Sequence, residues 1–171
     1  RWQVLSDGNL LPNATSTGIY LGVNSATDSN LLHDYEEGTW DVAVTGADGG
    51  SFGVGAANLT NTYTKIGQLV TVQGYVGITS ESSPSGAVKM SLPFATLAGA
   101  VDDSDFWYGE GMIQNGGSDM SAQTRAFSYD NAGAFCYFIK TTTAGVTTYV
   151  TEGDVDANWQ IGFSFSYVTA S

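Results

Sequence analysis

The feature that most constrains this chain is the alternation of apolar and polar side chains in several segments. The alternation runs through residues 69–78 and again through residues 159–167. Because successive side chains of a β-strand point to opposite faces, each segment predicts a strand with one buried face and one polar face. The apolar members of these two segments are Val70, Val72, Val76 and Ile78, and Trp159, Ile161, Phe163, Phe165 and Tyr167.

Shorter segments repeat the same alternation along the chain. Their apolar positions are Trp40, Val42 and Val44; Val88, Met90 and Leu92; Phe135, Tyr137 and Ile139; and Val146 and Val150. No window of about 11 or more residues shows the periodicity of an amphipathic helix. We therefore predict an all-β fold, an antiparallel β-sandwich of the jelly-roll type with about eight strands.

The charge of the chain excludes several classes of partner. Five Lys and Arg residues stand against 17 Asp and Glu residues, which gives a net charge of −12. So few cations argue against nucleic-acid binding, because a run of phosphates would not be neutralised. No apolar stretch approaches the roughly 18 residues of a membrane span, so no membrane insertion is expected. The single cysteine, Cys136, leaves no internal disulfide and falls in a buried-strand pattern.

The first residues differ from the rest of the chain. Residues 1–37 contain only short strand-like pieces separated by turn-forming stretches, and they hold too few apolar side chains for a core of their own. We predict an extended stalk or connector over residues 1–37 and a β-sandwich tip domain over residues 38–171. The connector either packs along the main domain or is completed by other copies of the chain, and we favour the second.

Three motifs carry a resemblance to a known family. They are YEEGTW at residues 35–40, YTKIG at residues 63–67 and LPF at residues 92–94. In this order and rough spacing they resemble the C-terminal regions of tail-fibre and tailspike-like proteins of tailed bacteriophages. The resemblance covers about residues 18–94. The chain departs from the pattern at His33, where Asp is common, and at Ser91, where Gly often stands.

This resemblance implies a homotrimer at the distal end of a virion appendage, outside the cell and in contact with the host surface. It implies a junction between stalk and head made by Tyr35, Glu36, Glu37, Gly38, Trp40 and Lys65. Tyr35 and Trp40 would pack there, and Gly38 would permit a sharp entry. Lys65 would pair with one of the two glutamates across a strand or subunit boundary.

The three consecutive aromatic residues at 106–108 are the predicted recognition element. They cannot all face one core, and an exposed ring beside polar groups suits a sugar, which offers an apolar face and hydroxyls. The predicted receptor-binding residues are Trp107, Tyr108, Glu110, Gln114 and Asn115. The alternative is that one face packs in the sandwich and the other against a neighbouring subunit.

Two groups of oxygen-bearing side chains are weighed as metal ligands. Asp154, Asp156 and Asn158 have alternating spacing, but Trp159 and Phe165 occupy the Gly and Glu positions of an EF-hand loop. A second acidic cluster lies at residues 102–105. Either group would bind a structural divalent cation or serve as a solvated acidic loop, and we expect no other cofactor.

Catalytic arrangements are not favoured by the sequence. Glu36 and Glu37 are neighbours on a predicted strand and would point to opposite faces, so they would not converge on one glycosidic bond. No nucleophile motif surrounds a serine that His33 would activate.

Together with the resemblance, the sequence predicts a non-enzymatic phage appendage tip that binds a host-surface receptor, with a glycan favoured, as a homotrimer. The alternatives are a purely structural fibre, decoration or adaptor protein that contacts other virion proteins, and a small polysaccharide depolymerase.

Overall fold

The computed structural model describes residues 2–14, 18–26, 31–32, 34–58, 60–98, 110–115, 124–129, 132–141 and 144–170. For residues 58, 110–115 and 124–129 it describes the backbone only. Within these residues the regular structure is β, with two short 3-10 turns at Ala56–Asn58 and Glu152–Asp154. The all-β prediction is confirmed, and the antiparallel pairing is consistent with a β-sandwich.

The described residues form strands at the following positions: β1 (Trp2–Val4), β2 (Leu10–Pro12), β3 (Ile19–Tyr20), β4 (Leu31–Leu32), β5 (Tyr35–Asp41), β6 (Val44–Gly46), β7 (Gly49–Val54), β8 (Thr60–Ile66), β9 (Leu69–Ser85), β10 (Val88–Ser91), β11 (Glu110–Asn115), β12 (Thr124–Tyr129), β13 (Phe135–Thr141), β14 (Thr147–Tyr149) and β15 (Gln160–Val168).

Strand β9 organises the main sheet because it takes part in two layers. Its first half pairs with β8 and β15, and its second half pairs with β7. One layer therefore runs β5-β8-β9-β15-β11, and the other runs β9-β7-β6-β10-β13-β12, with β14 also on β13. The main sheet has eleven described strands rather than about eight. The alternation does not reveal β7, in which three of the six residues are glycine.

The core lies between these layers and follows the predicted alternation on β9 and β15. The predicted apolar positions of residues 69–78 and 159–167 are all buried. Cys136 is also fully buried, as predicted, and that burial raises the pKa of its thiol.

Strand β13 matches the prediction at Ile139, which is buried, but not at the other two predicted positions. Cys136 and Phe138 are fully buried, whereas Phe135 and Tyr137 are only half-buried. The reason is the register, which places Cys136 opposite the buried Met90 of β10, so both side chains share the core face. The ring of Phe135 instead lies under the Lys89 ammonium, 4.5 Å from ring centroid to nitrogen. Val146, which was also predicted to lie on a buried strand face, is exposed.

The first four strands form two small pieces outside the main sheet. Strand β1 pairs with β2, and β3 pairs with β4. The substantial contacts of each strand are with its own partner. The predicted boundary after residue 37 falls inside β5, which pairs with β8 from Tyr35 to Asp41. Over the described part of the chain, no helix has the length and apolar character needed to cross a membrane.

Candidate functional site

The predicted junction residues lie on the paired strands β5 and β8. Glu36 is opposite Lys65 in the register, but the ion pair of the Lys65 ammonium is with the carboxylate of Asp34. Lys65 is only 7% exposed, and its nitrogen lies 5.9 Å from the Phe94 ring centroid. Asp34, the residue just before β5, therefore supplies the negative charge that was expected from Glu36 or Glu37.

The two glutamates are engaged by tyrosines instead. The hydroxyl of Tyr63 donates a hydrogen bond to the Glu36 carboxylate, and the hydroxyl of Tyr35 donates to Glu37. A phenol that donates to a carboxylate resists ionisation, so these hydrogen bonds raise the pKa of both tyrosines. The four side chains form two separate hydrogen-bonded pairs within one chain.

Gly38 does not form the predicted sharp entry. It lies in the middle of β5 without a positive φ angle, and its need for glycine comes from packing. A Cβ atom at this position would lie 2.5 Å from the Tyr63 hydroxyl oxygen and 2.6 Å from Cζ. Trp40 packs against the core, with its ring centroid 6.1 Å from that of Phe163. The ring of Tyr35 is 59% exposed.

An apolar row crosses the outer face of the sheet where β5 begins. The register places Tyr35 opposite Ile66, Ile66 opposite Leu69, and Leu69 opposite Val168. Ile66 and Leu69 are about half exposed, at 48% and 50%. The alternation pattern does not single out either residue, although Leu69 is an apolar residue at a position where β9 otherwise carries polar side chains. We call these four residues the apolar end row.

The described residues before β5 carry many exposed apolar side chains. Each is between 37% and 74% exposed: Trp2, Val4, Leu5, Leu10, Leu11, Ile19, Tyr20, Leu21, Val23 and Leu32. In a single chain these side chains stay open to solvent, because a two-residue or three-residue strand pair has no second layer to cover it.

The predicted receptor-binding residues are described only in part. Trp107 and Tyr108 lie outside the described residues, as do the acidic cluster at 102–105 and His33. Glu110, Gln114 and Asn115 are placed by their backbone on β11, which pairs with β15. Glu110 is opposite Ser164 and Asn115 is opposite Gln160, with a register shift between Ile113 and Asn115.

The residues weighed as metal ligands make local contacts. The Asp154 carboxylate accepts hydrogen bonds from Lys140 and from the amide and hydroxyl of Thr151. Asp156 accepts a hydrogen bond from the Asn158 amide at 2.9 Å. In the described ranges no group of three His, Cys, Asp or Glu side chains is arranged to hold a metal ion.

Comparison with known proteins gives no assignment: no protein-family model, curated protein or solved structure matches this chain.

Proposed function

We propose that this chain is the homotrimeric tip domain of a bacteriophage appendage, which binds a glycan on the host cell surface without catalysis. The observation that carries the proposal is the set of exposed apolar side chains on β1–β4. A large exposed apolar surface marks an interaction site. Burying one Leu, Ile or Val side chain contributes about 1.5–3 kcal/mol.

Copies of the same chain are the partners that this surface fits. Every copy brings the same unburied segment and the same apolar end row, so association around an axis covers all of them at once. The proposal that three copies associate rests on the motif resemblance at residues 35–40, 63–67 and 92–94. The place of the domain at the outer end of a virion appendage rests on the same resemblance.

The exposed face of the main sheet supports recognition of a hydroxyl-rich ligand. Across β8, β9 and β15 it presents Thr62, Thr64, Thr71, Gln73, Ser164 and Ser166. Hydroxyl and amide groups exchange hydrogen bonds readily with sugars, and each contact is weak. Three copies on one appendage multiply weak contacts into avidity.

Sedimentation equilibrium of the full chain tests the assembly. We expect a species of three times the 17.9 kDa chain mass at micromolar concentration. Fluorescently labelled protein, measured by flow cytometry on a panel of bacterial strains, tests attachment, with receptor-deficient mutants of a bound strain as the control. A stable single chain in dilute solution, or a trimer that binds no strain, contradicts the proposal.

The same binding experiments distinguish the proposed function from the alternative of a purely structural virion protein. A fibre or adaptor protein would bind a virion partner saturably and leave bacterial cells unlabelled. Release of reducing ends from host polysaccharide would instead show a depolymerase.

A further inference from the structure

A groove opens on the outer face of the main sheet where β8 and β9 separate. Their backbone pairing runs from Ile66–Leu69 to Thr62–Gln73. Beyond this point the Tyr75 amide donates a 2.6 Å hydrogen bond to Oδ1 of Asn61, a side-chain atom on β8. The buried Asn61 side chain thus takes the place of a backbone acceptor and holds the two strands apart.

Gly74 makes this arrangement possible. A Cβ atom at residue 74 would overlap Oδ1 and Cγ of Asn61, so any larger residue would push the amide out of the gap. The groove that results has a volume of about 490 Å³, within the range of small-ligand sites. Its lining residues are Ala57, Thr60, Asn61, Thr62, Gln73, Gly74, Tyr75, Gly162 and Phe163.

The lining has the chemistry of a sugar site. Tyr75 supplies an aromatic ring, Gln73 an exposed amide, and Thr60 and Thr62 hydroxyl groups, while Gly162 leaves the backbone accessible. An aromatic ring packs against the apolar face of a pyranose, and the amide pairs with adjacent hydroxyls. All nine lining residues are uncharged.

Electrostatics selects a neutral ligand. The Asp41 carboxylate borders the groove, where it accepts a 2.8 Å hydrogen bond from the Thr60 hydroxyl. Together with the net charge of −12, this carboxylate repels an anionic sugar.

The strand predicted for receptor binding runs beside this groove. Met112 of β11 is opposite Gly162, one of the lining residues, and paired strands lie roughly 4.8 Å apart. Glu110, Gln114 and Asn115 are on the same strand. An extended glycan in the groove would therefore reach β11 within one strand spacing.

We infer that this groove binds one neutral sugar ring, a hexose or an N-acetylhexosamine, stacked on Tyr75 and hydrogen-bonded by Gln73. The inference deepens the proposed function, on which the choice of a cell-surface glycan as the source of the ring rests.

Saturation-transfer difference NMR on the full chain tests the site directly. The probes are glucose, galactose, mannose and N-acetylglucosamine, with galacturonic acid as the anionic comparison. We expect saturation of at least one neutral probe and a weaker signal for galacturonic acid. Tyr75→Ala and Gln73→Ala should each weaken binding about three- to tenfold, whereas Tyr75→Phe, which keeps the ring, should bind nearly as wild type.

Gln68→Ala is the matched control, since it removes the same exposed amide as Gln73→Ala but from the turn between β8 and β9, outside the groove lining, and should leave binding unchanged. Gln73 is exposed, so Gln73→Ala keeps the test valid if Tyr75→Ala fails to fold. Absence of saturation for all four neutral probes, or equal binding by wild type and Gln73→Ala, overturns the inference.

Cell binding separates this inference from the proposed function. If Gln73→Ala labels cells as strongly as the wild type does, the appendage proposal stands and the inference about the groove is contradicted. Sugar binding in the groove without labelling of any strain would do the reverse.

Discussion

The hydroxyl end of Tyr63 lies directly over Gly38, and this close approach sets the identity of residue 38. The Tyr63 ring is fixed at both ends, by its hydrogen bond to Glu36 and by an edge-to-face contact with Phe94 at 5.1 Å. It has little room to move away from a new methyl group. Gly38 is therefore a packing glycine within a strand.

Gly38→Ala should destabilise the fold by about 1–3 kcal/mol, because the added Cβ must displace this ring. The measurement is the free energy of unfolding from urea titration. Gly153→Ala is the control, since a Cβ there meets nothing within 4 Å and the φ angle is not positive. Equal free energies of unfolding for the two variants would show that the Tyr63 ring moves freely.

Among the elements, the 3-10 turn Glu152–Asp154 is held to the sheet by one ionic contact. The turn lies between the buried residues Val150 and Val155, and Lys140 of β13 donates to the Asp154 carboxylate. Burial by itself would raise the pKa of Asp154. The hydrogen bonds from Lys140 and Thr151 outweigh burial, so this pKa lies below its ordinary value of 3.8.

Asp154→Asn should lower the free energy of unfolding at neutral pH by about 1–2 kcal/mol, because it removes charge-assisted hydrogen bonds from a mostly buried group. A lowered pKa in the folded state stabilises the protein above the ordinary value and ceases to do so as the pH falls through the folded value. The difference in urea midpoint between wild type and variant should therefore stay constant down to about pH 5 and close below pH 3.8.

Glu81→Gln, which removes an exposed carboxylate of β9, controls for the change in net charge. A difference in midpoint that persists undiminished at low pH would show that the ionised Asp154 carboxylate does not stabilise the turn.

At the scale of the whole molecule, the exposed apolar side chains before β5 bear on the proposed assembly of several copies. Val4 on β1 is 74% exposed, and Val146, before β14, is 59% exposed. The two side chains are chemically identical, but only Val4 belongs to the segment that we propose is covered by neighbouring copies. They therefore form a matched pair.

Val4→Asp should weaken the assembly at least tenfold, because a carboxylate would be buried without a partner in the interface. Val146→Asp should leave the assembly unchanged. Sedimentation across a dilution series measures both, and near-UV circular dichroism checks that each fold is intact. Equal dissociation of the two variants would contradict an interface built on β1.

Prediction from the sequence worked where it depended on one strand at a time. Alternation placed the core residues of β9 and β15 on the buried face, and it identified Cys136 as a core residue. On β13 it was right for Ile139 and wrong for Phe135 and Tyr137, because Cys136 and Phe138 are apolar too and either set fits a buried face. Only pairing with β10 at Met90 distinguishes the two sets.

The junction and the groove could not be predicted in the same way. Lys65 has Glu36 opposite it in the register, yet its ion pair is with Asp34. Asn61 and Gly74 have ordinary places in two strand patterns, and their importance appears only where the β8–β9 pairing ends. These contacts join residues of different strands, and the periodicity within one strand does not indicate them.

The sequence by itself determined that the chain is all-β and which faces of its longest strands are buried, because side-chain direction alternates within every strand. The tertiary structure alone decided which strands are neighbours and in what register. That choice aligned Tyr35, Ile66, Leu69 and Val168 into one apolar end row and opened the groove beside Tyr75, because both features are assembled from side chains that only strand pairing brings together.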